Sequence, residues 1–163
     1  MKRQTAYVAL GANLEGPLTQ IRNAFAELSE LPKTKLIARS SLYRSAPVGN
    51  VNQPDFINAV AKLETTLPPR ELLAALLEIE RRHGRLREFP NAPRTLDLDL
   101  LLYGDLIHHE HGLTIPHPRM HQRAFVLSPL HEVAPDCVIP GIGLVEDLLA
   151  ACTGQRLKRL LED

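Results

Sequence analysis

The chain has 163 residues, 44% of them apolar and 23% charged, which is enough for one domain with a real hydrophobic core. Its 19 basic and 19 acidic side chains leave a formal net charge of +0, so the molecule as a whole is not built to wrap nucleic acid or coat an anionic membrane. No apolar run reaches the length of a membrane span, residues 6–10 are too short for a signal-peptide core, and Cys137 and Cys152 are too few for a disulfide framework. The expectation is a cytoplasmic protein with reduced thiols.

Tyr7-Val8-Ala9-Leu10 before Gly11 predicts a buried strand ending in a turn. Residues 16–31 place Leu18, Ile21, Ala24, Phe25 and Leu28 at helical spacing, and Pro32 stops the helix. Residues 35–45 alternate polar and apolar as a strand does. Ala46-Pro47-Val48-Gly49-Asn50 opens a loop that runs through Pro54. In the next strand, residues 56–64, Ile57, Ala59, Ala61 and Leu63 share one face, and Phe56, Asn58 and Val60 share the other.

Pro68-Pro69 opens a helix whose stripe is Leu72, Leu76, Ile79 and His83, with Leu73, Leu77 and Glu80 beside it and Gly84 as its stop. A basic loop over 85–93 leads into a strong strand over 95–103. A short turn, a Pro- and His-rich segment over 115–121, a helix near 124–133 and a last helix from about 144 complete the chain. The order is strand, helix, strand, strand, helix, strand. It predicts an α+β fold with a ferredoxin-like βαββαβ core, a mainly antiparallel sheet, helices packed on it, and C-terminal additions. No repeat, low-complexity tract or linker divides residues 1–163, so a single domain is expected.

The most informative stretch is Arg94-Thr95-Leu96-Asp97-Leu98-Asp99-Leu100-Leu101-Leu102. Strand alternation sends Leu96, Leu98, Leu100 and Leu102 to the core, and Asp97 and Asp99 together to the other face with Thr95. Aspartate is depleted in strands, and two carboxylates on residues whose Cα atoms are about 6–7 Å apart repel unless a cation intervenes. Oxygen-only ligands favour Mg²⁺, which takes one or two carboxylates and leaves the rest of its shell to phosphate and water. Arg81, Arg82, Arg85, Arg87 and Arg94 fall in one window just before the pair, and guanidinium forks match phosphate oxygens.

His117 and Arg123, in the segment from Ile115 to Phe125, are further phosphate candidates. His117 and His121 also have a zinc-like spacing, but Pro118 argues against a regular helix there and no third ligand is close. Phe56 and Asn58 share a strand face and suit stacking and hydrogen bonding to a heteroaromatic substrate. The chain has no phosphate-binding glycine loop and no nucleophile elbow. On these residues alone, three readings stand: a magnesium-dependent phosphoryl-transfer enzyme, a nucleotidyltransferase with paired aspartates, or a ferredoxin-like module that binds nucleotide or RNA. The acidic pair beside the arginines weighs against RNA, as does the lack of an aromatic RNA-binding strand motif.

Five segments stand out in chain order: Ala9-Leu10-Gly11-Ala12-Asn13-Leu14, Ser41-Leu42-Tyr43-Arg44-Ser45, Gln53-Pro54-Asp55-Phe56-Ile57-Asn58-Ala59, Pro93-Arg94-Thr95-Leu96-Asp97-Leu98-Asp99, and Pro116-His117-Pro118-Arg119-Met120 through Arg123-Ala124-Phe125-Val126-Leu127. Together they resemble the 6-hydroxymethyl-7,8-dihydropterin pyrophosphokinases of folate biosynthesis. The resemblance implies a monomer that transfers pyrophosphate from ATP to the pterin hydroxymethyl group and releases AMP, with no nucleic-acid or membrane partner. It implies that Asp97 and Asp99 hold two Mg²⁺ ions. Arg85, Arg94, His117 and Arg123 would bind phosphates, with Arg85 and Arg94 acting in catalysis. Glu80, Leu100 and Thr114 would lie by the nucleotide. The pterin would stack between Phe56 and Phe125, its edge read by Asn58, Ser45 and backbone near Ala46 and Val48. Three departures are visible: Phe56 stands where the family often has tyrosine, Phe89-Pro90-Asn91 replaces its usual tryptophan-containing run, and Gly112 and Pro118 stand where some members have side chains that touch ATP.

Overall fold

The computed structural model describes residues 2–14, 16–46, 53–84 and 96–160. Strand β1 (Gln4–Ala12) leads to α1 (Pro17–Ser29), β2 (Thr34–Arg39), β3 (Tyr43–Ser45), β4 (Phe56–Thr65), α2 (Pro69–Arg82) and β5 (Asp97–Tyr103). The hairpin β6 (His108–Glu110) and β7 (Leu113–Ile115) follows. Then come a 3-10 turn (Met120–Gln122), α3 (Ala124–Val133), the hairpin β8 (Val138–Ile139) and β9 (Gly143–Leu144), α4 (Val145–Ala151) and β10 (Leu157–Arg159).

The main sheet runs β10-β3-β4-β1-β5, with β2 also paired to β4, and every pairing is antiparallel. This is the expected βαββαβ core with β10 added at one edge. Alternation explains the first core. Val8, Leu10, Ala59, Ala61, Leu63, Leu98 and Leu100 meet Ile21, Phe25 and Leu28 of α1 and Leu72, Leu76 and Ile79 of α2, all buried. Burying each large aliphatic side chain contributes roughly 1.5–3 kcal/mol. Proline at the first turn starts both helices without losing a needed hydrogen bond.

The opposite face carries a second core, where Val60, Leu101 and Leu102 meet Met120, Val126, Leu127, Leu130, Ile139 and Val145. Cys137 and Cys152 pack against it as free thiols.

Two strands differ from their expected form. The strand expected over 35–45 is two, because three residues lie between Arg39 and Tyr43 where β4 has two between their partners Ala61 and Asn58. Ser40 spans the break: its N–H donates to the Val60 carbonyl (2.9 Å), and its Oγ accepts from the Val60 N–H (2.9 Å). In β5, Leu102 does not join the face of Leu98 and Leu100. The partners Tyr7 and Val8 face Leu102 and Leu100, so Leu101 is an extra, bulged residue. Leu101 and Leu102 therefore both enter the second core.

Candidate active site

Cross-strand register gathers the site on the second face of the sheet. Gly11 stands opposite Asp97 on one side and Asn58 on the other, and Asn58 stands opposite Tyr43. These four positions form one row across β5, β1, β4 and β3. One step along, Asp99 lies opposite Ala9. Asp97 and Asp99 are half-buried on the face that Leu98 and Leu100 leave open, as alternation predicts. A Cβ at Gly11 would lie 3.6 Å from Asn58 Oδ1 and 4.0 Å from Phe56 Cδ1, so a long side chain there would fill the space between the aspartate and the amide.

At the other end of the row, buried Asn58 donates from Nδ2 to Ser45 Oγ at 2.6 Å, and Phe56 stands opposite Ser45. Asn13, also buried, donates to Gln53 Oε1 (2.7 Å) and to the Pro54 carbonyl (3.0 Å), tying the end of β1 to the approach to β4.

His117 is brought in by backbone: its N–H donates to the Leu101 carbonyl at 3.0 Å. Its ring is half-buried and feels both Arg123 and Asp97. Burial pushes its pKa down to about 4, Arg123 and Arg119 add to the effect, and Asp97 opposes it. The Arg119 N–H donates to Nδ1 (3.3 Å), so a neutral ring carries its proton on Nε2 and offers that N–H as a donor.

Arg123 immediately precedes α3, and its guanidinium sits 5.5 Å from the centroid of the Phe125 ring. Within α3, Pro129 withholds the N–H that a regular helix would offer to the Phe125 carbonyl. A cleft of about 660 Å³ opens here, with Ser45, Ala46, Arg123 and Phe125 among its lining residues. The structure thus brings together Asp97, Asp99, Asn58, Phe56, Ser45, Ala46, His117, Arg123 and Phe125. Arg85, Arg94 and Val48 lie outside the described residues.

Two expected nucleotide contacts have other visible tasks. Glu80 is buried, and its Oε2 accepts from the Leu98 N–H at 2.7 Å, supporting the aspartate strand on the side away from β1. Leu100 directs its side chain into the first core, which leaves only its backbone for a ligand. Thr114 lies half-buried on β7, opposite His109. Among the described residues, His117 and His121 belong to no group of three or more metal-ligating side chains.

One network was not legible in advance. Glu132, at the end of α3, accepts from the Ser41 N–H (2.9 Å), Ser41 Oγ (2.9 Å) and the Tyr43 hydroxyl (2.7 Å). Arg159 lies 3.4 Å from it and donates to Ser41 Oγ at 3.0 Å. Burial alone would raise the Glu132 pKa, but these hydrogen bonds hold it below the ordinary carboxylate value. The Tyr43 hydroxyl is pushed up, mainly by burial and then by Glu132. No local pattern marks an acid in the last turn of a helix as a strand anchor.

The family model described as 7,8-dihydro-6-hydroxymethylpterin-pyrophosphokinase (HPPK) matches residues 7–135. The chain belongs to the HPPK family. It is 46% identical to the 2-amino-4-hydroxy-6-hydroxymethyldihydropteridine pyrophosphokinase of Haemophilus influenzae over 156 residues, covering 96% of this chain and 98% of that one. It is 47% identical to the protein of the same name from Pseudomonas aeruginosa over 157 residues, covering 96% and 97%. Among solved structures, a wild-type HPPK-DHPS of Plasmodium falciparum with pteroate superposes with a TM-score of 0.72 at 15% identity, over 92% of this chain and 42% of that one. An HPPK-DHPS in complex with substrates gives 0.71 at 14%, over 92% and 43%. At that identity the likeness concerns the fold alone, and this chain spans less than half of those longer chains. As an HPPK-family member the chain is a diphosphokinase, and its reaction is pyrophosphate transfer to the hydroxymethyldihydropterin of folate biosynthesis.

Proposed function

We propose that this HPPK-family chain uses ATP and Mg²⁺ to place a diphosphate on the hydroxymethyl oxygen of 6-hydroxymethyl-7,8-dihydropterin, releasing AMP, and that the row Asp97, Gly11, Asn58 is where its two substrates meet. That row is the observation that carries the reading. It puts the Asp97 carboxylate and the buried Asn58 amide on one face, separated by a residue with no side chain, which supports a cation beside one substrate and a hydrogen-bonding group beside the other.

The donor set suits magnesium. Among the described residues no group of three or more His, Cys, Asp or Glu side chains forms a protein cage. Two carboxylates on one strand face are what a cation needs when phosphate oxygens and water complete its shell. Asp97 and Asp99 would hold two Mg²⁺ ions, which when bound supply neutralisation of the phosphate charge.

The other residues position and shield. Phe56 and Phe125 would flank the pterin ring, while Asn58, held by Ser45 Oγ, would read its edge together with Ser45 and backbone at Ala46 and Val48. The neutral His117 would offer its Nε2–H to a phosphate oxygen. Arg85, Arg94 and Arg123 would offer guanidinium forks to the phosphate chain and the departing AMP. No protein nucleophile is needed: the pterin hydroxyl attacks the β-phosphorus in line, and catalysis rests on orientation and charge placement. Glu80, Leu100 and Thr114 would shape the nucleotide side, the first two through β5. The reading includes a single-domain monomer working in the cytoplasm, and no helix among the described residues is long and apolar enough to cross a membrane.

The test is product analysis with ATP, Mg²⁺ and the reduced pterin. AMP should form in step with pterin diphosphate. ADP, free pyrophosphate, or AMP that forms without pterin would each sink the reading. Light scattering of the purified chain checks for the 18.2 kDa monomer.

A further inference from the structure

The segment after α4 lies beyond the stretch matched to the family, residues 7–135, yet it reaches the cleft: Gly154, Gln155 and Arg156 line it together with Ser45, Arg123 and Phe125. The contact is specific. Gln155 Nε2 donates to the Gln122 carbonyl at 2.9 Å, and Gln155 Oε1 accepts from the Ala124 N–H at 2.8 Å. The two bonds straddle Arg123.

Arg123 itself has φ −120° and ψ 108°, the dihedrals of a parallel β-strand. In a parallel ladder, one residue donates to the carbonyl before its partner and accepts from the N–H after it. The Gln155 amide does the same with side-chain atoms. It is a one-residue imitation of a neighbouring strand, and it holds Arg123 extended where α3 begins. It also satisfies the Ala124 N–H, one of the donors a helix leaves open at its start, for which α3 has no capping side chain of its own.

The backbone of the same segment is anchored on the opposite wall of the cleft. Leu157, two residues on, pairs with Ser45. Gly154 has φ +77°, which lets the chain turn so that Gln155 faces Gln122 and Ala124 while Leu157 faces β3. Three consecutive residues therefore join the wall that carries Ser45 to the wall that carries Arg123 and Phe125.

We infer that Gln155 is a positioning residue for the transfer reaction, fixing the main chain at Arg123 so that its guanidinium meets the nucleotide phosphates. The inference rests on the proposed role of Arg123. Glutamine suits the task because one planar amide carries both the donor and the acceptor.

The experiment compares wild type, Gln155→Met, Arg123→Ala and the double variant in AMP formation, with KM for ATP, KM for pterin and kcat measured separately. Methionine keeps the length and removes both hydrogen bonds. Gln155→Met should lower kcat/KM for ATP roughly 10-fold, a modest loss for a displaced charge-bearing group. Its Tm should fall by only a few degrees. In the Arg123→Ala background the same substitution should cost less than twofold. Activity of Gln155→Met within twofold of wild type overturns the inference. So does an equal loss in both backgrounds, since the effect would then not pass through Arg123. If the methionine variant does not fold, Gln155→Glu, which keeps the acceptor for Ala124, takes its place under the same criteria. Failure of the functional reading shows separately, as a wild-type enzyme that makes no pterin-dependent AMP.

Discussion

Beneath α1 and α2, strands β1, β4 and β5 present Val8, Leu10, Ala59, Ala61, Leu98 and Leu100, all buried. On their other face the same strands present Gly11, Asn58, Asp97 and Asp99 towards one end and Leu101 and Leu102 towards the other, with Val60 level with Asp99 across Ala9. The first face is apolar along its length and closed by two amphipathic helices. Among the described residues, the second is covered only in part, by α3 with the 3-10 turn, β8 and α4, and the end they leave open carries charge and amide groups. The difference shows how one sheet serves two purposes: the packed face makes the strands rigid, and rigidity is what lets the open face hold carboxylates side by side at a fixed spacing. Substitutions on the two faces should therefore separate activity from stability.

The largest effect is expected on the open face. Asp97→Ala should lower kcat by roughly 10³-fold, the scale of losing a principal electrostatic element, with no loss of Tm. Near-normal turnover would remove the magnesium argument. The converse is Leu76→Ala under the packed face. It should cost about 2–5 kcal/mol of unfolding free energy, read by urea denaturation, while activity per folded molecule stays within about twofold.

Glu132 tests the boundary between the faces. Glu132→Ala strands the Ser41 N–H and the Tyr43 hydroxyl, so a stability loss of about 2–3 kcal/mol is expected, together with a raised KM for pterin through β3 and Ser45. Its pH signature has a definite sign. A carboxyl held below its unfolded value stabilises the fold above that value, and the contribution disappears as pH falls through the folded one. Wild type should lose stability through this acid range, and Glu132→Gln should show a flatter curve.

The smallest effect is at His117. Its pKa is about 4 folded against 6.5 unfolded, so the unfolded chain binds the extra proton between those values. Stability should be full above pH 6.5 and decline towards pH 4, by about 1–2 kcal/mol after solvent screening. His117→Asn should flatten that slope, and an unchanged thermal-melt profile would contradict the assignment.

Most of this architecture is readable from local pattern. Alternation in β4 and β5 and the stripe Leu72, Leu76, Ile79 follow from side-chain period alone, and so does the placement of Asp97 and Asp99 on one face. The break at Ser40 was not readable, because a serine whose side chain substitutes for a ladder partner looks like any polar strand residue. The task of Glu80 escaped for a related reason: a buried acid bonded to the Leu98 N–H cannot be told from an exposed one until β5 is seen to be an edge among the described residues. Glu132 and Gln155 act on backbone far away in sequence, 91 and 31 residues off, and no spacing encodes that.

The bulge at Leu101 makes neighbouring deletions unequal. Removing Leu101 would leave Tyr7 opposite Leu102, Val8 opposite Leu100 and Ala9 opposite Asp99, so the lineage could lose that codon at the cost of one leucine in the second core. Removing Leu98 would bring Asp97 opposite Leu10 and turn a carboxylate beneath the helices. Tyr103, whose hydroxyl donates to the Leu67 carbonyl at 2.6 Å, faces the helix side, and strict alternation back from it would place both aspartates there too. The single irregular residue sets the phase of the strand. It is the one point where the reading frame of inside and outside is shifted, and the acidic pair lies downstream of that shift, counting from the anchored tyrosine.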